Sequence, residues 1–566
     1  MRKIAKFRLE REKGRFAGNF SGTKKTLLLA MLCVVTSIAS AQATFTTLLD
    51  FDGTNGANPV DVTLVQGIDG DLYGTTEYGG AYKYGTVFKI SSSGTLTTLW
   101  SFCAKTNCPD GDEPQAGLTL VSGGDLYGTT LGGGAHNTGT VFKITPSGEL
   151  TTIYSFCAKP GCADGFNPSV GTALIVGTNG DLYGLTGTTT IGFFRLTPAG
   201  KLTALHTFPA FVVQYPTGLV QASDGNFYVT VSGGTGQSGE ILKITPTGKV
   251  TTLYSFCSLT NCLDGSGPGG PLVQGPNGDL YGTTATGGEY ANGTFFDLTL
   301  GGKLTTLHSF DYGTAGNLGT DENSGVILGS DGNFYGVSEF GGEDCSTGCG
   351  TVFQITPAGV LTTLAEFTGT GNEGWGPWGL MQDTDGTFYG TTSNGGPDSV
   401  GTIYSLSDGL PPFVEPVTNF GSVGETIDIL GQGFAGTTEV EFGGASATFN
   451  VVSGTELTAV VPAAAITGLV SVVTPGGTLA SISNFKVLPT ITSISPTSGP
   501  VGTLVTITGT GLTGATGVTV DGKAALFTVV SSTEITVTVP STAKTGKIVV
   551  TTAGGTATSA TFTVTT

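Results

Sequence analysis

Residues 125–146 read Asp125-Leu126-Tyr127-Gly128-Thr129-Thr130-Leu131-Gly132-Gly133-Gly134-Ala135-His136-Asn137-Thr138-Gly139-Thr140-Val141-Phe142-Lys143-Ile144-Thr145-Pro146. Two short runs of β-branched and aromatic residues flank a glycine-rich loop, and the second run closes on a Pro-containing turn. No window shows a sustained 3.6-residue period, so the runs read as strands. The same text returns along residues 44–408. Its marker tyrosines are Tyr73, Tyr127, Tyr183, Tyr228, Tyr281, Tyr335 and Tyr389, spaced 54, 56, 45, 53, 54 and 54 residues apart.

Each repeat parses into four strands. The first resembles Gly218-Leu219-Val220-Gln221 and ends at a turn such as Asp224-Gly225 or Asn277-Gly278, dipeptides that tolerate positive φ in a hairpin. The second is the Leu-Tyr-Gly-Thr-Thr strand, the third resembles Thr140–Ile144, and the fourth resembles Leu150–Phe156. The first copy opens in mid-repeat: Thr44-Phe45-Thr46-Thr47-Leu48-Leu49-Asp50-Phe51 has the fourth-strand pattern, and the last repeat stops after Gly401–Ser405 without one. Seven complete units therefore require that first strand to finish the last sheet. A ring closed in this way leaves no unfinished edge. The expectation is an all-β chain with a seven-bladed β-propeller over 44–410. A β-helix array fits less well, because its coils are shorter.

The chain has 566 residues, too many for one compact core. Glycine accounts for 94 of them without a G-X-Y period, which excludes collagen, and charged residues make up only 11% against 38% apolar, which excludes a charge-expanded disordered chain. Residues 1–43 differ from the rest: they hold 9 basic and 2 acidic residues, an apolar run over Thr26–Ser40, and small residues at Ala39, Ala41 and Ala43. This predicts a cleaved signal peptide and a secreted, extracellular or cell-surface protein. The remaining 523 residues carry 14 basic and 40 acidic groups, a net charge of −26. Such a surface repels nucleic acid and anionic lipid. No later stretch is long and apolar enough to span a bilayer.

Eight further cysteines lie in close pairs, Cys103/Cys108, Cys157/Cys162, Cys257/Cys262 and Cys345/Cys349. In a secreted chain these predict disulfides, each worth about 2 kcal/mol for so short a loop. A thiolate zinc site fits poorly, because the pairs recur about one repeat apart. Strand order puts the Asp-Gly and Pro-x-Gly turns on one face. The second-to-third loops, such as Glu77–Gly85, and the cysteine loops lie on the other. That loop face is the expected recognition surface, with Tyr78, Tyr82, Tyr84, Tyr290, Phe340, Trp375 and Trp378 as possible ligand contacts.

Residues 411–488 and 489–566 align with each other and predict two small β-sandwiches. Gly421–Ile429 matches Gly499–Ile507, Gly431-Gln432-Gly433-Phe434 matches Gly509-Thr510-Gly511-Leu512, and Val460-Val461-Pro462 matches Thr538-Val539-Pro540. Ile491-Thr492-Ser493-Ile494-Ser495-Pro496-Thr497-Ser498-Gly499-Pro500 with Gly509-Thr510-Gly511 resembles the IPT/TIG immunoglobulin-like domain. That resemblance implies a spacer or binding module. The upstream repeats, on Asp125–Thr130 and Gly139–Pro146, resemble the GloVer tandem repeat of bacterial choice-of-anchor extracellular proteins. That resemblance implies export and no particular chemistry.

Motifs for catalysis are sparse. Gly234-Thr235-Gly236-Gln237-Ser238-Gly239 spells G-x-G-x-x-G but precedes a strand, so it reads as a blade loop. Gly517–Ala524 approaches a P-loop without its Ser/Thr. His206 and His308 take the fourth-strand place filled elsewhere by Trp100, Tyr154 and Tyr254, which points to packing, and His136 reads as a solvated loop residue. Asp110-Gly111-Asp112-Glu113, Asp321-Glu322-Asn323 and Asp383-Thr384-Asp385-Gly386 offer oxygens that calcium could use, though none has EF-hand spacing; no other cofactor is expected. The leading expectation is a non-catalytic binding or adhesion protein presenting its loop face to a polysaccharide or extracellular protein, with the sandwiches as spacers. Alternatives are a glycan lyase or hydrolase using loop carboxylates such as Glu77 and Glu339, or a structural envelope or matrix protein.

Overall fold

The computed structural model describes residues 43–60, 62–168, 171–187, 192–208, 216–233, 238–311, 325–342, 348–370 and 373–566. The expected signal peptide, Cys345, Asp321-Glu322-Asn323 and most of Gly234–Gly239 lie outside the described residues.

Seven four-stranded antiparallel sheets form from the repeats. In the first blade the strands run Val65–Gln66, Leu72–Thr76, Thr86–Ile90 and Leu96–Ser101. The seventh blade consists of Trp375–Gln382, Phe388–Asn394, Thr402–Ser407 and, as its outermost strand, Thr44–Asp50 from the beginning of the chain. Thr44 pairs with Ser407 and Asp50 with Thr402. The ring thus closes as the mid-repeat start requires, and Phe45 packs on Phe367 and Tyr404.

The recurring text follows from contacts within each blade. The marker tyrosine reaches back four residues: Tyr73, Tyr228 and Tyr335 each donate to the turn carboxylates of Asp69, Asp224 and Asp331, at 2.7, 2.9 and 3.0 Å. Its glycine successor leaves room for the third-strand phenylalanine. A Cβ on Gly74 would stand 2.7 Å from both Leu64 and Phe88. At the loop end, paired hydroxyls join the second and third strands, as between Thr76 and Thr86 at 2.8 Å and Thr392 and Thr402 at 2.9 Å. These oxygens are buried, so each pairing removes an unsatisfied group from the core.

Blades lock to one another by two repeated devices. The amide of Gln221 accepts from Thr178 N of the preceding blade at 2.9 Å, Gln274 from Ser223 N at 2.8 Å and Gln382 from Ser330 N at 2.9 Å. The third-to-fourth turn glycine of each of several blades sits against the outer-strand carbonyl of the one before. This holds for Gly148 on Leu99, Gly248 on Leu205, Gly302 on Leu253 and Gly359 on Leu307. His308 in the outer strand of the fifth blade also bonds Gly359 O, at 3.0 Å, so it serves in blade packing as expected.

The two C-terminal modules are β-sandwiches with the same strand order. Sheets of Thr426–Leu430 with Glu456–Val460, and of Glu439–Phe442 with Val470–Thr474, enclose Ile427, Phe434, Phe442, Leu457 and Val472. In the second copy Leu504–Thr510, Glu534–Thr538, Ala515–Val520 and Gly546–Thr552 take those places around Val505, Leu512 and Ile535.

The first sandwich is no loose spacer, which corrects that expectation. It sits on the turn face of the propeller. Gly123 N donates to Asp428 at 2.8 Å, Gln432 to Thr384 at 3.1 Å, Thr455 to Ile68 O and Lys486 to Ala222 O, both at 3.4 Å. Leu430 and Val417 join the apolar cluster of the first two blades, with Leu118 and Leu120. Burial of these apolar side chains supplies the driving force that a solvated linker would lack.

Candidate functional site

With its turn face covered, the propeller presents the opposite, long-loop face. Three of the cysteine loops there share one construction. Disulfides join Cys103–Cys108, Cys157–Cys162 and Cys257–Cys262. Cys349 is also disulfide-bonded. Two residues beyond each of the first three pairs stands an aspartate that templates the loop. Asp264 accepts from Ser258 N at 2.8 Å, Leu259 N at 3.1 Å and Tyr254 OH at 2.8 Å. Asp164 does the same with Ala158 N, Lys159 N and Tyr154 OH, and Asp110 with Cys103 N and Trp100 Nε1. The ring position of the fourth strand therefore anchors the loops as well as packing. The hydrogen bonds hold the Asp164 and Asp264 carboxyls below the usual range against the opposing effect of burial.

Asp110 is thus turned towards Trp100 and Cys103, and Asp383 towards Asp385 N and Thr384 Oγ1. Among the described residues, no three His, Cys, Asp or Glu side chains gather where a metal ion could be held.

The second-to-third loop of blade one is pinned by its backbone. Tyr78 and Ala57 exchange two hydrogen bonds at 2.9 and 3.1 Å, Gly80 N reaches Gly53 O at 3.0 Å, and Glu113 N reaches Tyr84 O at 3.1 Å. Gly79 and Gly80 both take φ of 78°, and a Cβ on Gly79 would meet backbone at 2.6 Å, so glycine is required there. The fixed backbone leaves Tyr78, Tyr82 and Tyr84 exposed by 41, 47 and 44%.

The same Gly-Gly frame recurs, and its tip position is occupied by Tyr82 in blade one, His136 in blade two and Tyr290 in blade five. The residue after each tip has positive φ: Lys83 at 70°, Asn137 at 56° and Ala291 at 63°. This conserved frame within one chain is a signal the sequence carried and the reading by loop length missed. Trp375, at the start of the seventh blade's inner strand, is exposed, and Phe340 is half-buried. Trp378 is different. It is 7% exposed and lines a cavity on the propeller axis, so it is not part of the loop-face platform. Its position three residues into an inner strand turns it to the axis.

Glu77 accepts from Gln115 Nε2 at 2.5 Å. Glu113 stands nearby, its carboxyl pushed up by burial, by Asp112 and by Glu77. Glu339 belongs to blade six and lies against Gly376 of blade seven, so it stands on a different blade from Glu77. Tyr78 is pushed up to about 12, first by its hydrogen bond to Glu77 and then by burial. The exposed surface here is a flat aromatic group beside carboxylates and a side-chain amide.

No helix among the described residues is long and apolar enough to cross a membrane. Three solved structures share low similarity with the chain. A fungal alcohol oxidase of the AA5 family in complex with copper is 14% identical, covers 78% of this chain and 98% of its own, and has a TM-score of 0.45. PorZ, a bacterial surface component of the type-IX secretion system of Porphyromonas gingivalis, is 13% identical over 78% and 60% of the two chains, with a TM-score of 0.42. The surface glycan-binding protein PbSGBP-B from Prevotella bryantii is 19% identical over 26% and 41%, with a TM-score of 0.21. No curated protein matches the chain. The model of the Gloeobacter/Verrucomicrobia repeat matches residues 13–193 and 187–404, and that of the IPT/TIG domain matches 412–487 and 489–565. By these matches the chain belongs to the Gloeobacter/Verrucomicrobia repeat family and carries two IPT/TIG domains behind its repeats.

Proposed function

We propose that this is a secreted or cell-surface binding protein without catalysis, whose loop face holds a polysaccharide. The observation that carries the reading is the exposure of Tyr78, Tyr82 and Tyr84 on one backbone-pinned loop, on the face opposite the docked sandwich. Rigid aromatic rings bury large areas at small entropic cost, and their faces suit the apolar faces of sugar rings. Gln115, Glu77 and Glu113 lie beside them to take hydroxyls. The net charge of −26 beyond residue 43 disfavours acidic polymers, so neutral or basic polysaccharides are the expected class.

The test is a glycan and protein array probed with the full chain and with a Tyr78→Ala, Tyr82→Ala, Tyr84→Ala triple variant. Saturable binding to a polysaccharide that weakens about tenfold or more in the variant supports the reading. Signals no higher than those of an unrelated acidic protein, or binding the variant retains in full, overturn it.

A further inference from the structure

The second sandwich differs in charge from everything ahead of it. Residues 489–566 hold three lysines and two acidic groups, a net charge of +1, whereas residues 44–488 hold 11 basic and 38 acidic groups, a net of −27. The three lysines gather at one end. Lys544 N donates to Asp521 Oδ2 at 3.3 Å, Asp521 N donates to Lys547 O at 3.0 Å, and Lys523 opens the short strand after the Asp521-Gly522 turn. All three are exposed, and among the described residues none takes part in an ion pair. Glu534, the other acidic group, pairs with Thr508 towards the opposite end, where Gly554 lies against Val487 and Thr467 of the first sandwich.

The same end carries bare apolar side chains. Leu504 pairs with Thr538, and Thr538 N donates to Leu526 O at 2.9 Å, so the three stand in one row across the sheet. Val505 and Val537 belong to the core, and strand alternation turns this row outward. Leu504 is 61% and Leu526 84% exposed, and Val501, on a turn tied to Val539 O by Gly502 N at 2.9 Å, is 46% exposed. From Thr538 the chain reaches Lys544 in six residues, and Leu526 follows Lys523 by three, so the leucines and lysines share one tip. In the first copy the aligned residues are Thr426 and Thr448 for the leucines, and Ala445, Ile466 and Leu469 for the lysines. There the loop between Ile466 and Leu469 meets the second sandwich at Gly554, through Thr467. Its counterpart in the second copy carries cations instead.

We propose that this tip docks on an anionic lipid surface and so retains the protein at a membrane. The leucines and Val501 enter the boundary between headgroups and acyl chains. The lysines, whose stems lie along apolar surface, meet the lipid phosphates. The acidic bulk of the chain does not prevent this. The strand Leu504–Thr510 spans about 23 Å and the first sandwich joins at its far end, whereas charges are screened over about 8 Å at physiological ionic strength. A soluble polyanion would use the lysines but leave the leucines in water, so a lipid surface fits the tip better.

The experiment uses residues 42–566, one compact unit that omits the apolar run Thr26–Ser40, which would itself enter lipid. Flotation is measured with vesicles of phosphatidylcholine alone and of phosphatidylcholine with about 25% phosphatidylglycerol, at about 0.1 M salt. The expected result is saturable binding to the anionic vesicles, about tenfold or more tighter than to the neutral ones. A Lys523→Ala, Lys544→Ala, Lys547→Ala triple variant should lose that preference. Leu504→Ser with Leu526→Ser should weaken binding to the anionic vesicles by about tenfold or more. The altered side chains are exposed, and unchanged thermal midpoints show that the variants fold. The proposal is overturned by absence of flotation at about 1 mM anionic lipid or by a preference that survives the triple lysine variant. It is equally overturned by binding that the leucine variant retains in full, which would assign the lysines to a soluble polyanion.

Discussion

Gln66 and Thr384 hold the last blade to the first by two hydrogen bonds: Gln66 Nε2 donates to Thr384 Oγ1 at 2.9 Å, and Thr384 N donates to Gln66 Oε1 at 3.2 Å. Residues 318 apart in sequence thus meet in the same way as Gln221 with Thr178 or Gln274 with Ser223 inside the ring. The outer edge repeats the lesson, since Gly94 of blade one rests on Leu48 O as Gly148 rests on Leu99 O. The closing joint is an ordinary joint of the ring.

Equal joints should cost equal amounts to break. Gln66→Ala and Gln221→Ala each remove one amide and leave a backbone N–H of the neighbouring blade unpaired, an expected loss of about 1–3 kcal/mol apiece. Differential scanning calorimetry of the two variants should give similar falls in thermal midpoint. A Gln66→Ala protein as stable as the parent, beside a weakened Gln221→Ala protein, would show the closing joint to be slack. Deleting 44–50 removes the whole outer strand of blade seven and should lower the midpoint by about 10 °C or more.

Blade four shows what the marker glycine is for. There Val229 replaces the glycine, and the facing third-strand residue is Leu242 in place of phenylalanine. Gly74→Val alone crowds Phe88 and Leu64 and should cost about 1–3 kcal/mol. Phe88→Leu alone leaves a void and should cost about 1 kcal/mol. The double variant reproduces blade four, so the cycle should return a favourable coupling of about 1 kcal/mol or more. Additive losses in chemical denaturation would refute the pairing.

A second irregularity predicts a gain. In blade three Gly192 stands where other blades place Thr86, Thr140 or Thr402, and the Thr186 hydroxyl opposite it is buried without a partner. Gly192 takes no positive φ, and its Cβ would stand 2.7 Å from Thr186 Oγ1, which can rotate. Gly192→Thr should restore the hydroxyl pair and reduce chain freedom when unfolded, raising stability by about 1 kcal/mol. A lowered thermal midpoint would mean that the strand end cannot take a side chain.

The blades were legible because their contacts are local and repeated seven times. Tyr73 with Asp69, Gly74 with Phe88 and Thr76 with Thr86 each leave a fixed spacing in the text. Ring closure was legible because Thr44–Asp50 is a fourth strand with no blade of its own ahead of it. The docking of the first sandwich was not, because it rests on single long-range contacts such as Asp428 with Gly123, which leave no period. The axial setting of Trp378 and Glu415 was hidden for the same reason: a side chain's side of a strand is readable, but what the axis encloses depends on the partner docked beneath it.

Asp264 should govern the stability of its loop. It is fully buried, and its oxygens take two backbone N–H groups and the Tyr254 hydroxyl. Asp264→Ala orphans the two N–H groups inside a six-residue disulfide ring, leaves the Tyr254 hydroxyl only Ser258 Oγ, and should cost about 2–4 kcal/mol locally. Hydrogen exchange should show protection lost in 257–265 with blades one and seven unaffected. Tyr254→Phe removes one donor and should have the smaller effect. Equal protection in both variants would place the loop's rigidity in the disulfide alone.

The junction between propeller and sandwich should make stability depend on pH. Asp383, 3% exposed, has its carboxyl raised to about 6 by burial and by Asp385, and Glu415 rises to about 7 by burial and by Asp383. A carboxyl raised on folding binds its proton more tightly in the native state, so stability falls as pH climbs from the unfolded value through the folded one, and levels off above it. The window here runs from about 4 to about 7. The depressed carboxyls Asp164, Asp224 and Asp264 titrate below that window, where their contribution is lost on acidification. His308, lowered by burial, works in the opposite sense to the raised pair near its unfolded value of 6.5. Two raised carboxyls outweigh one histidine, so the parent protein should melt at a higher temperature at pH 5 than at pH 8. Asp383→Asn should flatten that slope by on the order of 2 kcal/mol and raise stability at pH 8, provided the amide keeps the contacts to Thr384 and Asp385. A slope left unchanged by Asp383→Asn and Glu415→Gln together would mean that the junction admits enough water to solvate both carboxylates.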